Sequence, residues 1–267
     1  MPTAHRAPVG VVTRGTTNPN RLRRVDRYLA GPLAGVLRSA EAHPTVVDLG
    51  YGAKAFTAIE LHERLLRVRP DVRLLGLEIE PERVGAAHAF VRDDRRFERG
   101  GFEIPLPEGW SDPVLIRAFN VLRQYDESEV AAAWARMGAR LGPGGRLVEG
   151  TCDELGRLAS WITLSAGGPL TLTVSMKLST LERPSDVAER LPKSLIHRNV
   201  PGEPVHAFLA ALDRAWEVAS PLRSLGATQR FLAAATALRE AGHPILDGPR
   251  RWRLGEMSVP WSHVSAS

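Results

Sequence analysis

The sequence predicts an α/β protein, a mostly parallel, doubly wound sheet of about seven strands with helices on both faces, and three observations predict it. From residue 45 onward, apolar strand-like runs alternate with stretches of helical periodicity, the pattern of a parallel sheet covered by helices. The first run, Val46-Val47-Asp48-Leu49, ends in Gly50-Tyr51-Gly52, and glycines there let a turn bring its backbone close to a ligand, as in nucleotide-binding βαβ units. A chain of 267 residues, 43% of them hydrophobic, can also bury the full core of one such domain with some extension, which argues against two independent domains.

Strand one is Thr45 to Leu49. The helix after it begins near Ala53, carries Phe56, Ile59 and Leu66 inward, and stops at Pro70. Strand two runs from Val72 to Leu77 with Glu78 at its C-terminal end, and Pro81 suits the first turn of a helix reaching about Arg92. Strand three lies near Arg96 to Phe102, its far end turned by Gly100-Gly101. Strand four, Val114-Leu115-Ile116, leads to Ala118-Phe119-Asn120. Asp126 and Glu129 form a capping-box pair for a helix in which Val130, Ala133, Trp134, Met137 and Leu141 recur at helical spacing, and Gly142-Pro143 ends it. Strand five is Gly145 to Glu149. Thr151 and Glu154 then predict the cap of a helix carrying Leu158, Trp161 and Ile162 and ended by Gly167-Gly168-Pro169, after which Leu170 to Leu178 alternates like a strand.

Beyond Leu181 the rhythm changes. Pro204 opens a helix with Val205, Phe208, Leu209, Leu212, Trp216 and Ala219 on one stripe, and another runs from about Thr228 to Ala241. Arg251 to Trp261 reads as a final strand, so these helices are expected between the last two strands. The chain is accordingly divided into an N-terminal arm and basic helix, residues 1–44, and a domain of residues 45–267 in which 183–243 form a helical insertion on the acceptor side.

The formal net charge is +5, and the positive residues are nearly all arginine and widely spread. Arg21, Arg23, Arg24 and Arg27 form one local cluster, read most simply as a solvated helix face. Cys152 is the only cysteine, so no intramolecular disulfide can form and no set of thiolate metal ligands is available. No apolar segment approaches a signal-peptide core or a membrane span. A soluble, cytoplasmic protein with no metal and no membrane partner is expected.

With these residues in place, the chain resembles the class I S-adenosylmethionine-dependent methyltransferases over about residues 45 to 150. Val47-Asp48-Leu49-Gly50-Tyr51-Gly52 is similar to the family's first motif, Leu77-Glu78-Ile79-Glu80-Pro81-Glu82 to its acidic second, Ala118-Phe119-Asn120-Val121-Leu122 to its fourth, and Leu141-Gly142-Pro143-Gly144-Gly145-Arg146-Leu147 to the turn before its fifth strand. The resemblance lies in the order and spacing of the four together. It implies a Rossmann-like fold, S-adenosylmethionine as cofactor, and methyl transfer to an acceptor. By the same resemblance, Glu78 accepts hydrogen bonds from the ribose hydroxyls, while Gly50, Tyr51 and Gly52 allow close backbone approach. Asp48 lies near the methionine moiety and its ammonium group, or else caps a helix without touching ligand. Ile79 covers one face of the adenine, Gly101 and Phe102 meet it with backbone and ring, and Ala118 and Asn120 stand at the fourth motif. There are two departures: Lys54 replaces a common glycine, facing the cofactor's carboxylate or solvent, and Arg99-Gly100-Gly101-Phe102 offers no clear counterpart to the acidic residue often found after the third strand.

Gly50, Gly52 and Ala55 also satisfy the looser G-x-G-x-x-A dinucleotide fingerprint. Against a nicotinamide cofactor stand Asp48, which would repel a pyrophosphate, the Leu-Gly-Pro-Gly-Gly turn into strand five, and the helices between the last strands. The expected acceptor is a small molecule. The alternative is a nucleic-acid-binding methyltransferase or a non-catalytic cofactor-binding module, motivated by the basic N-terminal helix, although no aromatic residues interleave with its arginines. No catalytic residue is identified. His197 and His206 are candidate bases and equally ordinary surface histidines, with His197 taken as a substrate contact. Asp153 and Glu154 lie near the cleft mouth or cap a helix, and Tyr125 stacks on substrate or packs on the sheet. By the resemblance, Arg14 or Arg21 in the turn-rich leading segment meets a carboxylate or phosphate of the substrate, unless that segment is a free arm.

Overall fold

A computed structural model describes residues 7–13, 15 and 17–266. Helices α1 (Arg23–Ala30) and α2 (Ala34–Arg38) precede β1 (Thr45–Leu49). The chain continues through α3 (Phe56–Leu66), β2 (Arg73–Glu78), α4 (Pro81–Ala87), β3 (Arg95–Arg99), β4 (Leu115–Phe119), α5 (Glu127–Gly138) and β5 (Arg146–Cys152). Next come β6 (Leu158–Ser165) and β7 (Gly168–Met176), then α6 (Lys193–Ile196), α7 (Pro204–Val218), α8 (Ala227–Glu240), α9 (Pro249–Trp252) and β8 (Glu256–Pro260). The strands form one sheet in the order β3-β2-β1-β4-β5-β6-β7-β8. The first five are parallel, as expected of strands joined by helical crossovers, and β5 to β8 pair antiparallel.

Among the described residues the sheet has eight strands rather than about seven, and the segment Leu158 to Ile162 is not a helix but most of β6. Its side chains are buried on both faces, so the alternation that betrays a half-exposed strand is missing. Trp161 pairs opposite Gly150 and packs on Tyr28 and Phe119, with ring centroids 5.2 and 6.3 Å away. Gly156, at φ 62°, turns the chain from β5 into β6, where a helix cap was expected. The final strand is also shorter than read: Pro249 opens the helical turn α9, and pairing begins at Glu256.

Successive residues of the central strands feed two cores. Val46, Leu74, Leu115 and Phe119 pack under α1, α2 and α3, while Val47, Leu75, Ile116 and Leu147 meet α5, α7 and α8 on the other face. Asp126 and Glu129 do form the reciprocal cap of α5. Most of the basic cluster is not a solvated face, Arg27 alone of the four arginines being exposed. Arg24 is buried and donates to Gly156 O, Ser175 Oγ and Leu254 O at 3.0 to 3.1 Å, and Arg23 donates to Leu155 O, so both guanidinium groups fasten α1 to the turns beneath it. Among the described residues, no helix is long and apolar enough to cross a membrane.

Candidate functional site

β1 and β4 are adjacent in the sheet, yet the chain leaves them toward opposite sides, β2 lying beyond one and β5 beyond the other. Such a switch point opens a crevice beyond the carboxyl ends of the strands, where α/β proteins bind ligands. Gly50 and Gly52 follow β1 here with φ of 70° and 85°. A Cβ on Gly50 would lie 2.7 Å from Val121 Cγ2, so the turn needs glycine for both its conformation and its space. Asn120, after β4, also has a positive φ of 60°; its N–H donates to Gly150 O, and its side chain accepts from Cys152 N and donates to Cys152 Sγ. A cavity of about 710 Å³ lies over these ends, lined among others by Asp48, Gly50, Gly52, Asn120, Arg123 and Cys152. A second, of about 10 Å³, lies between Glu78, Ile79, Gly101, Phe102 and Tyr125.

Glu78 is 2% exposed and sits where β2 ends beside the turn. Its Oε2 accepts from Gly52 N–H at 3.0 Å and its Oε1 from Ile79 N–H at 2.9 Å, with Arg83 Nη1 3.5 Å away. A carboxylate offers about four lone-pair directions, so it retains capacity for two further donors. Tyr51 lines the larger cavity, but its ring packs edge-on against Phe97. Burial, then Glu78 and Asp48, push its hydroxyl above the ordinary tyrosine range.

Asp48 pairs with Gly76 on one side and Arg117 on the other. Its two oxygens are gripped by Arg117 Nε at 2.8 Å and Nη2 at 2.6 Å, a bidentate bridge buried within the protein. Arg117 also donates to Thr57 O and to Asp26 of α1, and Asp26 receives Arg64 Nη1 at 2.7 Å. Burial lifts the Asp26 carboxyl to about 7, with Arg117 and Arg64 opposing in part. Burial likewise works against the Arg117 cation, but Asp48 and Asp26 outweigh it and raise its pKa.

The remaining candidates divide by place. Glu154 lines the larger cavity, as do Arg21, Arg123 and Arg190. Arg21 donates to Asp153 O and Cys152 O. Ala118 is wholly buried within the sheet and lines neither cavity. Lys54 is exposed, over the Phe56 ring at 5.6 Å. His197 is exposed at the end of α6 and lines neither cavity; His206 faces Asn199 Oδ1 at 3.3 Å. Arg14 lies outside the described residues.

Sequence reasoning missed two groups. Glu103 is an acidic side chain after β3, its Oε1 accepting from Gly101 N–H, one position beyond Arg99-Gly100-Gly101-Phe102. Arg117 breaks the apolar run Leu115-Ile116-Arg117-Ala118-Phe119, and a charge inside a buried strand signals a buried partner.

No family model matches the chain, and no curated protein matches it. Solved structures do. The mitomycin 7-O-methyltransferase MmcR is 23% identical over 48% of this chain and 36% of its own, with a TM-score of 0.34. The N-methyltransferase NodS from Bradyrhizobium japonicum WM9 is 22% identical over 48% and 68%, at 0.33, and the cyclopropane synthase MmaA2 from Mycobacterium tuberculosis is 20% identical over 48% and 42%, at 0.36. The chain thus spans about a third of MmcR and under half of MmaA2. At these identities and TM-scores the likeness carries no argument about this chain.

Proposed function

From the doubly wound sheet, the positive-φ glycine turn after β1 and the buried acid at the end of β2, we propose, as the motif resemblance of residues 45 to 150 implies, that this chain transfers the methyl group of S-adenosylmethionine to a small-molecule acceptor. The observation that carries the reading is Glu78, buried where β2 ends beside the glycine turn and held by Gly52 N–H with lone pairs to spare. Glu78 would hold the ribose hydroxyls, the Gly50–Gly52 turn would approach the ligand with bare backbone, and Ile79, Gly101 and Phe102 would wall the adenine. Asp48 lines the cavity, but Arg117 largely neutralises it, so its part is to hold the turn. Asn120 and Cys152 lock to one another and shape the cavity between β4 and β5.

When bound, the cofactor supplies a methyl group already activated on its sulfonium. The chain's residues then have to orient the acceptor for in-line attack and exclude water. A cavity of about 710 Å³ falls within the usual range of small-molecule sites. The nucleic-acid alternative is weakened, because Arg21, Arg23 and Arg24 bond inward to the protein's own carbonyls and Arg27 alone of the cluster is exposed.

Calorimetry with S-adenosylhomocysteine tests the reading. The wild-type chain should bind, and Glu78→Ala should weaken binding about ten- to a hundredfold, the value of roughly 1.5 to 3 kcal/mol of charge-assisted hydrogen bonding. Unchanged affinity in Glu78→Ala would remove the ribose assignment. Binding without transfer of labelled methyl to any component of a cell extract would favour the non-catalytic module.

A further inference from the structure

Resting on that cofactor reading, we propose that residues 9–13 are a built-in plug of the adenosine half of the site, which a ligand must displace to enter. The wall expected to hold adenine holds the arm instead. Val9 O accepts from Phe102 N–H at 2.9 Å, while Val9 N–H donates to Glu103 Oε2 at 2.8 Å. An acceptor beside a donor on one edge is also what a purine presents with its ring nitrogen and exocyclic amine. Val11 N–H donates to Tyr125 Oη at 2.6 Å, and Thr13 O accepts from Arg83 Nη2 at 2.8 Å.

The fit is close. A Cβ on Gly10 would lie 2.8 Å from Tyr125 Oη, 3.0 Å from Ile79 Cδ1 and 3.6 Å from Phe102 Cε2, and its φ of +137° suits glycine alone. A Cβ on Gly101 would collide with Val9 O. What remains between Glu78, Ile79 and Phe102 is about 10 Å³, at most the room of one water, while the neighbouring cavity keeps about 710 Å³. Only the half next to the ribose anchor is filled.

The arm is held by backbone bonds more than by apolar burial, since Val11 and Val12 are 52% and 44% exposed. Downstream it is tied to the glycine turn, where Gly15 O accepts from Ala53 N–H and Thr17 Oγ1 donates to Tyr51 O. That tie leaves residues 9–13 as the part that can swing out while the turn stays in place.

The test uses two full-length variants that disturb the arm and leave the pocket wall intact. Gly10→Val clashes with Ile79 and Tyr125, and Val9→Asp sets a carboxylate against Glu103. Calorimetry with S-adenosylhomocysteine should show both binding about tenfold or more tightly than wild type, with thermal unfolding still cooperative. In wild type, adding S-adenosylhomocysteine should speed hydrogen exchange at residues 9–13. Wild type and variants binding equally, or slower exchange at 9–13 on binding, would overturn the plug and leave the cofactor assignment standing. No binding by any of the three would overturn both.

Discussion

Replacing Arg117 by methionine should destabilise the protein by about 5 kcal/mol. The side chain is fully buried, and methionine is of similar length and apolar, so little of the effect comes from a cavity. What the change removes is the shared cation of two buried carboxylates, Asp48 and Asp26, together with the donor to Thr57 O. Breaking a buried pair from one side costs roughly 3–5 kcal/mol, and an orphaned carbonyl adds on the order of 1. That is a large part of the 5–15 kcal/mol typical of a folded domain. Equilibrium urea unfolding measures it, as a fall in midpoint with m unchanged. The deficit should also widen as the pH rises above about 7 and stay nearly level below it. Wild-type Asp26 is raised to about 7 by burial and losing Arg117 raises it further, so below 7 both folded proteins hold that proton, while above 7 only the variant does and only the variant goes on losing stability. A deficit below about 1 kcal/mol at neutral pH would refute the view that this triad holds α1 and the glycine turn to the sheet.

Glu149 is wholly buried, and its carboxyl is lifted by burial to about 8 from 4.5, the Trp134 side chain opposing in part. The folded state therefore holds an extra proton between those values, so stability should fall by about 3 kcal/mol as the pH rises from 4.5 to 7. Glu149→Gln should flatten that slope in urea unfolding at pH 5.5 and 8; an unaltered slope means the group titrates normally. Gly52→Val, at φ 85° and in collision with Thr17, should abolish S-adenosylhomocysteine binding while melting stays cooperative, and retained affinity would mean the turn approaches no ligand. Arg24→Met should cost about 2–3 kcal/mol, since three acceptors lose their donor. A loss within 0.5 kcal/mol would return α1 to the status of a solvated face.

The parallel half of the sheet was legible because its signals are local. Strand β1 is bounded in sequence as in space, Pro81 opens α4, and the Asp126–Glu129 pair caps α5, each within a few residues of its partner. Strand β6 was not, because burial on both faces removed its period and the capping-like residues Thr151 and Glu154 lie in or beside a strand end and a turn. The same division runs through the site. Gly50, Gly52 and Glu78 could be picked out from type and position, but nothing near Asp48 discloses that its oxygens belong to Arg117, 69 residues away.

From the residues alone came the alternation of strands and helices, the positive-φ turn and the acid after the second strand, all of them consequences of side-chain period and backbone freedom over a few positions. The tertiary structure decided which charges neutralise one another, which face the arginines take, and that residues 9–13 lie against Ile79 and Phe102. Those outcomes depend on groups brought together across 69 to 230 residues of chain, as in Arg117 with Asp48 and Arg24 with Leu254, and pairing at such separation leaves no local periodicity to read.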